Sequence, residues 1–281
     1  MLDGVMLLWF VLTAAALLFV AIDIRSTPES PVLKWGFILV TAYTGVIGAF
    51  LYVLGCREPL PGLHERYTAA RWRQTLGSTM HCVAGDGIGI LVGAVLSAVL
   101  VLPQPAETAV EYVLGFGFGW TIFQALFMRN QAGGSYRKAP IDTFVPELLS
   151  MNLLMAGMVP TAMILRRFVA GAKNPASPAF WFVMSMGLLA GFIIAYPMNW
   201  WLVANHLKHG MMTVRPGAVT ANGHGRSTAA MGGDMAKSNR SMEGMSMAER
   251  APPRPSIPVM TVLSFAALAA GVAIPSLLQH G

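Results

Sequence analysis

Four stretches of this chain concentrate side chains that could bind a metal. The run Met80-His81-Cys82 offers a thioether, an imidazole and a thiol in succession, and Asp86 follows one helical turn later. Sulfur donors suit Cu(I), imidazole serves several metals and carboxylates suit harder ions. Adjacent helical positions point about 100° apart, so at most two of the three neighbours reach one ion. Glu147, Met151, Met155 and Met158 then fall at i, i+4, i+8 and i+11, a carboxylate and three thioethers on one helical face with Asn152 beside them. Asn199 and His206 share a face, while His206 and His209, three apart, reach one metal from a final helical turn, with Met211 just beyond. Lys208 between them opposes a cation.

The fourth stretch carries His224, Met231, Met235, Met242, Met245 and Met247 in a segment rich in Gly, Ser and Ala. So little else there is apolar that packing does not account for the methionines, and exposed Met is an oxidation liability. Clustered Met with interspersed His and acids suits reversible capture of Cu(I) or Ag(I). Each feature also has a plainer reading. His81 and Asp86 could bond one another or a neighbouring helix. The Met ladder could be gap-filling core. His206 and His209 could cap a span, and the Met-rich segment could be an unconstrained linker.

The elements that must position these residues follow from composition. Of 281 residues, 55% are hydrophobic and 11% charged, against about a quarter charged in soluble domains. The apolar residues gather into seven runs: Val5–Ile22, Leu33–Leu54, Met80–Leu102, Val110–Met128, Glu147–Leu165, Phe180–Val203 and Ile257–Leu278. About 20 such residues span the hydrocarbon layer as a helix, whereas barrel strands would alternate. The expected fold is therefore an all-α polytopic transmembrane bundle of about seven spans. Residues 1–214 form six helices, 215–256 a flexible Met-rich loop, and 257–281 the last helix with a short tail. The first run has no preceding basic residues and no A-x-A site, so it reads as a retained helix rather than a secretion signal.

Gly85, Gly89, Gly93 and Ser97 recur every fourth residue, and Gly115 and Gly119 share that spacing. Such strips let helices approach closely. Pro160 and Pro197 should bend their helices, and Trp200 and Trp201 belong near a headgroup boundary.

Seven spans would put the N-terminus and the loops 55–79, 129–146 and 204–256 on one face, with fourteen Lys and Arg against five opposite. By the positive-inside rule that face is cytoplasmic in a bacterial inner membrane, Met-rich loop included. Most of the potential ligands gather there, and the other face is chemically plain. Were that face outside, Cys56 and Cys82 could pair as a disulfide. The net charge of +6 lies in short loops without a basic stripe, which argues against nucleic acid.

The segment 180–211, FWFVMSMGLLAGFIIAYPMNWWLVANHLKHGM, closely resembles the hallmark of a bacterial multi-pass membrane family known only as a domain of unknown function. His81, Cys82 and Gly85 match its HC-x-x-G run, and Glu147 and Asn152 its acidic and Asn positions. The resemblance covers about residues 70–212. It implies a shared helical fold and a functional role for His81, Cys82, Asn199 and Lys208, but no activity. Asp86 stands where relatives often carry a second Cys, which sets this chain apart from any two-thiol site.

The expected function is copper handling, the loop collecting Cu(I) and the ends of the third, fifth and sixth spans binding or relaying it. The alternative is a non-enzymatic scaffold or accessory subunit, with a partner subunit or a second copy against the bundle. A transporter is third. No P-loop, G-x-S-x-G or H-E-x-x-H motif points to an enzyme.

Overall fold

Long apolar sequences become helices here because lipid offers no partner for backbone polar groups, and a helix satisfies its own. A computed structural model describes residues 2–124, 138–211 and 253–277. Nine α-helices lie among them: α1 Leu2–Asp23, α2 Pro31–Thr44, α3 Val46–Gly55, α4 His64–Thr68, α5 Arg71–Val99, α6 Gln104–Phe118, α7 Lys138–Phe168, α8 Pro178–Ala204 and α9 Ile257–Leu277. A π-helical segment, Gly119–Gln124, continues α6. Five helices are long and apolar enough to cross a membrane: α1, α5, α7, α8 and α9. The protein is an all-α, membrane-embedded bundle.

The second apolar run is not one span. It breaks at Gly45, which adopts φ +61° and ψ −135°, a backbone region that glycine enters without steric cost. The chain then reverses. A Cβ on Gly48 would lie 2.7 Å from the Thr41 Cα, so α3 packs directly back along α2. Ser30 opens the hairpin by accepting the Leu33 N–H at 3.3 Å, with Pro31 in the first turn. Thr41 and Thr44 donate their hydroxyls to Phe37 O and Val40 O, both at 2.7 Å, so neither is left unpaired near the tip.

At the open end, Tyr52 donates to Asp23 Oδ2 at 2.7 Å and Arg57 grips the same carboxylate at 2.9 Å. Residues 23–30 and 52–57 therefore share one end of the bundle, whereas an unbroken span would have separated them. The hairpin lies against α5: a Cβ added to Gly36 would meet the His81 Cα at 3.7 Å, and one on Gly55 would strike Leu76.

Contacts place the remaining helix ends. Tyr196 near the end of α8 donates to Trp72 O at the start of α5, 3.1 Å away. Asn152 of α7 donates to Ser264 of α9 at 3.0 Å, and Gly271 packs on Ala156, so α7 and α9 run parallel. Met6 of α1 packs against the cluster that holds Val169 and Ala179, at the far end of α7 and the start of α8, and Trp9 meets Phe182 edge-on at 6.2 Å. One end, called end A, thus gathers Asp23, the starts of α2, α5 and α9, and the ends of α3 and α8. The opposite end, B, holds Leu2, the end of α7 and the start of α8. This corrects the expectation that the N-terminus shares a face with the segment after α8: Leu2 lies at end B, while Met211 and Arg254, which flank the Met-rich segment, lie at end A, joined to Gln74 and Asn205.

The glycine strip packs as expected. Added Cβ atoms on Gly85 and Gly93 would each come to 2.9 Å from the Cα of Gly119 and Glu111, and one on Gly89 would strike the Leu114 carbonyl. Such contacts bring the α5 and α6 backbones together, and α6 carries its π-helical extension to the heart of end A. Pro160 and Pro197 both lie inside continuous helices.

In a chain otherwise lacking cysteine, membrane-impermeant thiol reagents should label Ser26→Cys and Glu65→Cys from one side and Lys173→Cys from the other. Labelling Ser26→Cys together with Lys173→Cys would restore an unbroken second span.

Candidate functional site

At end A the sequence closes α8 and turns its tail inward. Asn205 donates its side-chain amide to Trp201 O at 2.8 Å, and His206 takes φ +57°. Leu207 and Lys208 then return their N–H groups to Leu202 O at 2.9 and 3.3 Å, a closure that satisfies the orphaned last carbonyls of a helix. The turn delivers Lys208 into the bundle, where it is 4% exposed. Met211 fills the notch at Gly77 and Gln74 donates to its carbonyl at 3.1 Å, sealing the tail against α5.

The Lys208 ammonium matches its three donors with three acceptors: Cys82 Sγ at 2.7 Å, Glu147 Oε2 at 2.9 Å and Asn199 Oδ1 at 3.3 Å. Burial alone would drive its proton off, but Cys82 and Glu147 outweigh that and hold the group above the ordinary lysine range. Asn199 is fixed in turn, its amide donating to Ser150 Oγ at 2.9 Å and Ala195 O at 3.2 Å. The Cys82 thiol donates to Glu147 Oε2 at 3.4 Å.

One turn deeper, Asp86 faces Glu147 across Gly119. A Cβ on Gly119 would collide with the Asp86 carboxylate and come within 3.1 Å of Glu147 Oε1. Neither Asp86 oxygen, nor Glu147 Oε1, finds a hydrogen-bond donor among the described residues. His81 completes the wall, its ring 5.9 Å from Phe123. Two carboxyls thus share one ammonium, and the site has room in its charge for one further cation or proton.

His81, Cys82, Asp86 and Glu147 therefore come together, as do Asn199 and Lys208. Met151 touches the edge of this group, its Cε near Gly115 beside the Asp86 carbonyl. Met155 and Met158 sit in the main hydrophobic core with Leu154 and Leu188. His206 and His209 are exposed, and because α8 stops at Ala204 the helical spacing expected to aim both at one metal does not exist. Met231, Met235, Met242, Met245 and Met247 lie outside the described residues.

Sequence reasoning treated Lys208 as an obstacle, and only the resemblance marked it as central. It also missed two features. Cys56 lies apart from Cys82, beside Glu29 and His64, and both cysteines are free thiols, so they form no disulfide. Burial, with Glu29 adding, pushes the Cys56 thiol well above its ordinary range. End B, expected to be plain, holds a cavity of about 590 Å³ lined by Arg166, Arg167, Lys173 and Glu107.

Removing one partner of a buried pair strands the other charge at a cost of about 3–5 kcal/mol. Glu147→Gln should therefore lower the unfolding midpoint in detergent steeply. Asp86→Asn should raise it, because the new amide gives Glu147 the donor it lacks, worth about 1–3 kcal/mol. Equal effects of the two changes would contradict this arrangement.

No curated protein and no solved structure matches the chain. All the residues of this cluster fall within residues 71–208, and those residues match the family model described as Domain of unknown function (DUF4396).

Proposed function

We propose that this is a soft-cation-handling membrane protein of the Cu(I) class, and that its binding centre is the cluster of Cys82, Glu147 and Asp86 with His81 at the edge. The observation that carries the reading is the Lys208 ammonium, held by a thiol, a carboxylate and an amide oxygen beside a second carboxyl. It occupies the place a monovalent cation would take. Lys208 is not on a helix but on the tail 205–211, which leads directly into the methionine-rich segment. Withdrawal of that tail removes the internal cation and opens the donors, while the methionines bring the ion to the same end. Thioethers hold Cu(I) loosely enough to release it, and a buried thiolate holds it more firmly.

Charge supports a cytoplasmic end A. With the α2–α3 hairpin folded back, Arg25 and Lys34 join that end, and the helix ends and connecting segments on that side of the sequence carry sixteen of the nineteen Lys and Arg. The positive-inside rule then orients end A to the cytoplasm of a bacterial inner membrane and the start of α1 outward.

A structural reading competes because Lys208 already saturates its donors, as a packing staple of an accessory subunit would. Copper content of the purified protein under reducing conditions separates the two. The expected result is at least one Cu(I) per chain, lost in Cys82→Ser and reduced when Met231, Met235, Met242, Met245 and Met247 become Leu. Lys208→Gln should unfold more easily without metal, yet gain more thermal protection from Cu(I) or Ag(I) than the unaltered chain, since a ligand that binds only the folded state stabilises it. Absence of stoichiometric copper from the unaltered protein sinks the reading and leaves the staple.

A further inference from the structure

The donors Glu29, Cys56 and His64 come from three separate segments: the turn before α2, the residue closing α3, and the first residue of α4. All three are buried, at 4%, 0% and 0% exposure. Their ligand atoms lie within 4.8 Å of one another. Zinc bonds of ~2.0–2.3 Å set neighbouring ligand atoms about 3–4 Å apart, so a contraction of an ångström or so would close this group around an ion.

The donors are also held in place. Ser30 N–H donates to Glu29 Oε2 at 3.1 Å, leaving Oε1 toward His64, whose Nε2 is 3.8 Å away. Glu58 accepts from Gly62 N at 2.7 Å and His64 N at 3.2 Å, fixing the turn that presents the imidazole. His64 Nε2 also lies 3.1 Å from the Cys56 carbonyl, so the edge of the imidazole that faces Glu29 faces the segment carrying Cys56 as well. The neighbouring bases are directed elsewhere: Arg57 to Asp23, and Lys34 to Arg25 O at 3.2 Å.

We propose that Glu29, Cys56 and His64 form a second metal centre, for a borderline divalent cation of the Zn(II) type, which latches the α2–α3 hairpin to the turn after α1 and to α4. One sulfur, one nitrogen and one oxygen donor suit Zn(II) or Co(II), whereas Cu(I) gains little from the carboxylate. Three protein ligands leave a fourth position for water. Binding replaces the thiol proton of Cys56 with the metal, and the proton leaves to solvent. The centre lies outside residues 71–208 and shares no donor with the Cys82 cluster.

Cobalt(II) serves as the spectroscopic probe, titrated into the full-length protein in detergent with Zn(II) as competitor. The expected result is one tightly bound Co(II) with a thiolate-to-metal charge-transfer band that Zn(II) abolishes. Cys56→Ser should remove the band and Cys82→Ser should keep it. Because Cys56→Ser could disturb folding, Glu29→Gln supplies a near-isosteric check. Loss of a mere outer-shell partner costs ~10–100-fold in affinity, so loss of this ligand should cost at least about tenfold. The proposal is overturned if the unaltered protein gives no band, if the band survives Cys56→Ser, if Glu29→Gln binds as tightly as the unaltered chain, or if Cys82→Ser is the change that removes it.

Discussion

A charged ammonium buried at the end of an apolar bundle is tolerable only if its donors are all met and its charge is balanced, and Lys208 imposes that demand on everything around it. Three helices answer it: α5 through Cys82, α7 through Glu147 and α8 through Asn199. Each answer constrains a neighbour. Asn199 requires Ser150, Asp86 facing Glu147 requires that Gly119 carry no side chain, and the tail of α8 must reverse at His206 to bring the ammonium in. The breaking cost of such a pair, about 3–5 kcal/mol, is a large share of a typical folding stability. The pair therefore fixes the register of three helices at once.

Gly45 sets the other boundary condition. A single residue at φ +61° turns an apolar run into a hairpin, and this decides which polar loops meet. Asp23 finds Arg57 and Tyr52, Thr27 finds Tyr52 at 2.9 Å, and Glu29 finds His64. None of these partners would share an end with the others if the run crossed the membrane. The hairpin also moves two basic residues to the end that is already richest in them, so the charge asymmetry and the backbone geometry agree.

Much of this was legible in the sequence because apolar periodicity and small-residue spacing are local signals. The helices appeared where long runs predicted them, and Gly85, Gly89 and Gly93 packed where every-fourth-residue spacing said a helix would approach. His81, Cys82, Asp86 and Glu147 were readable as donors on adjacent helix ends. Less legible were features that depend on one backbone turn. Gly45 within an apolar run looks like any transmembrane glycine, since the run is long enough to span and its composition is unchanged across the break. His206 likewise looked like a helical ligand until the chain turned at that residue, which left His206 and His209 in solvent and sent Lys208 inward. The Glu29–Cys56–His64 group was invisible for a compound reason: its members are up to 35 positions apart in sequence, and only the hairpin brings them together.

The two polar centres are joined by a wall rather than by bonds. A Cβ added to Gly36 of α2 would lie 3.7 Å from the Cα of His81 and 3.8 Å from the Met80 carbonyl, so α2 passes within about a methyl group's width of the α5 turn that carries Cys82. Tyr43 continues the contact, its ring against Gly87 and its hydroxyl 3.4 Å from Ala84 O. A contact this close leaves only small or rigid groups, Ala84 and the Tyr43 ring, to absorb a shift. Whatever holds the open end of the hairpin, whether the Asp23–Arg57 pair alone or an ion bridging Glu29, Cys56 and His64, also holds α2 against α5. The position of Cys82 relative to Glu147 and Lys208 then depends on the α5 backbone, and that backbone is braced by α2 on one flank and by Gly119 of the π-helical segment on the other. End A of the bundle owes its geometry to the re-entrant hairpin as much as to the helices that carry its polar side chains.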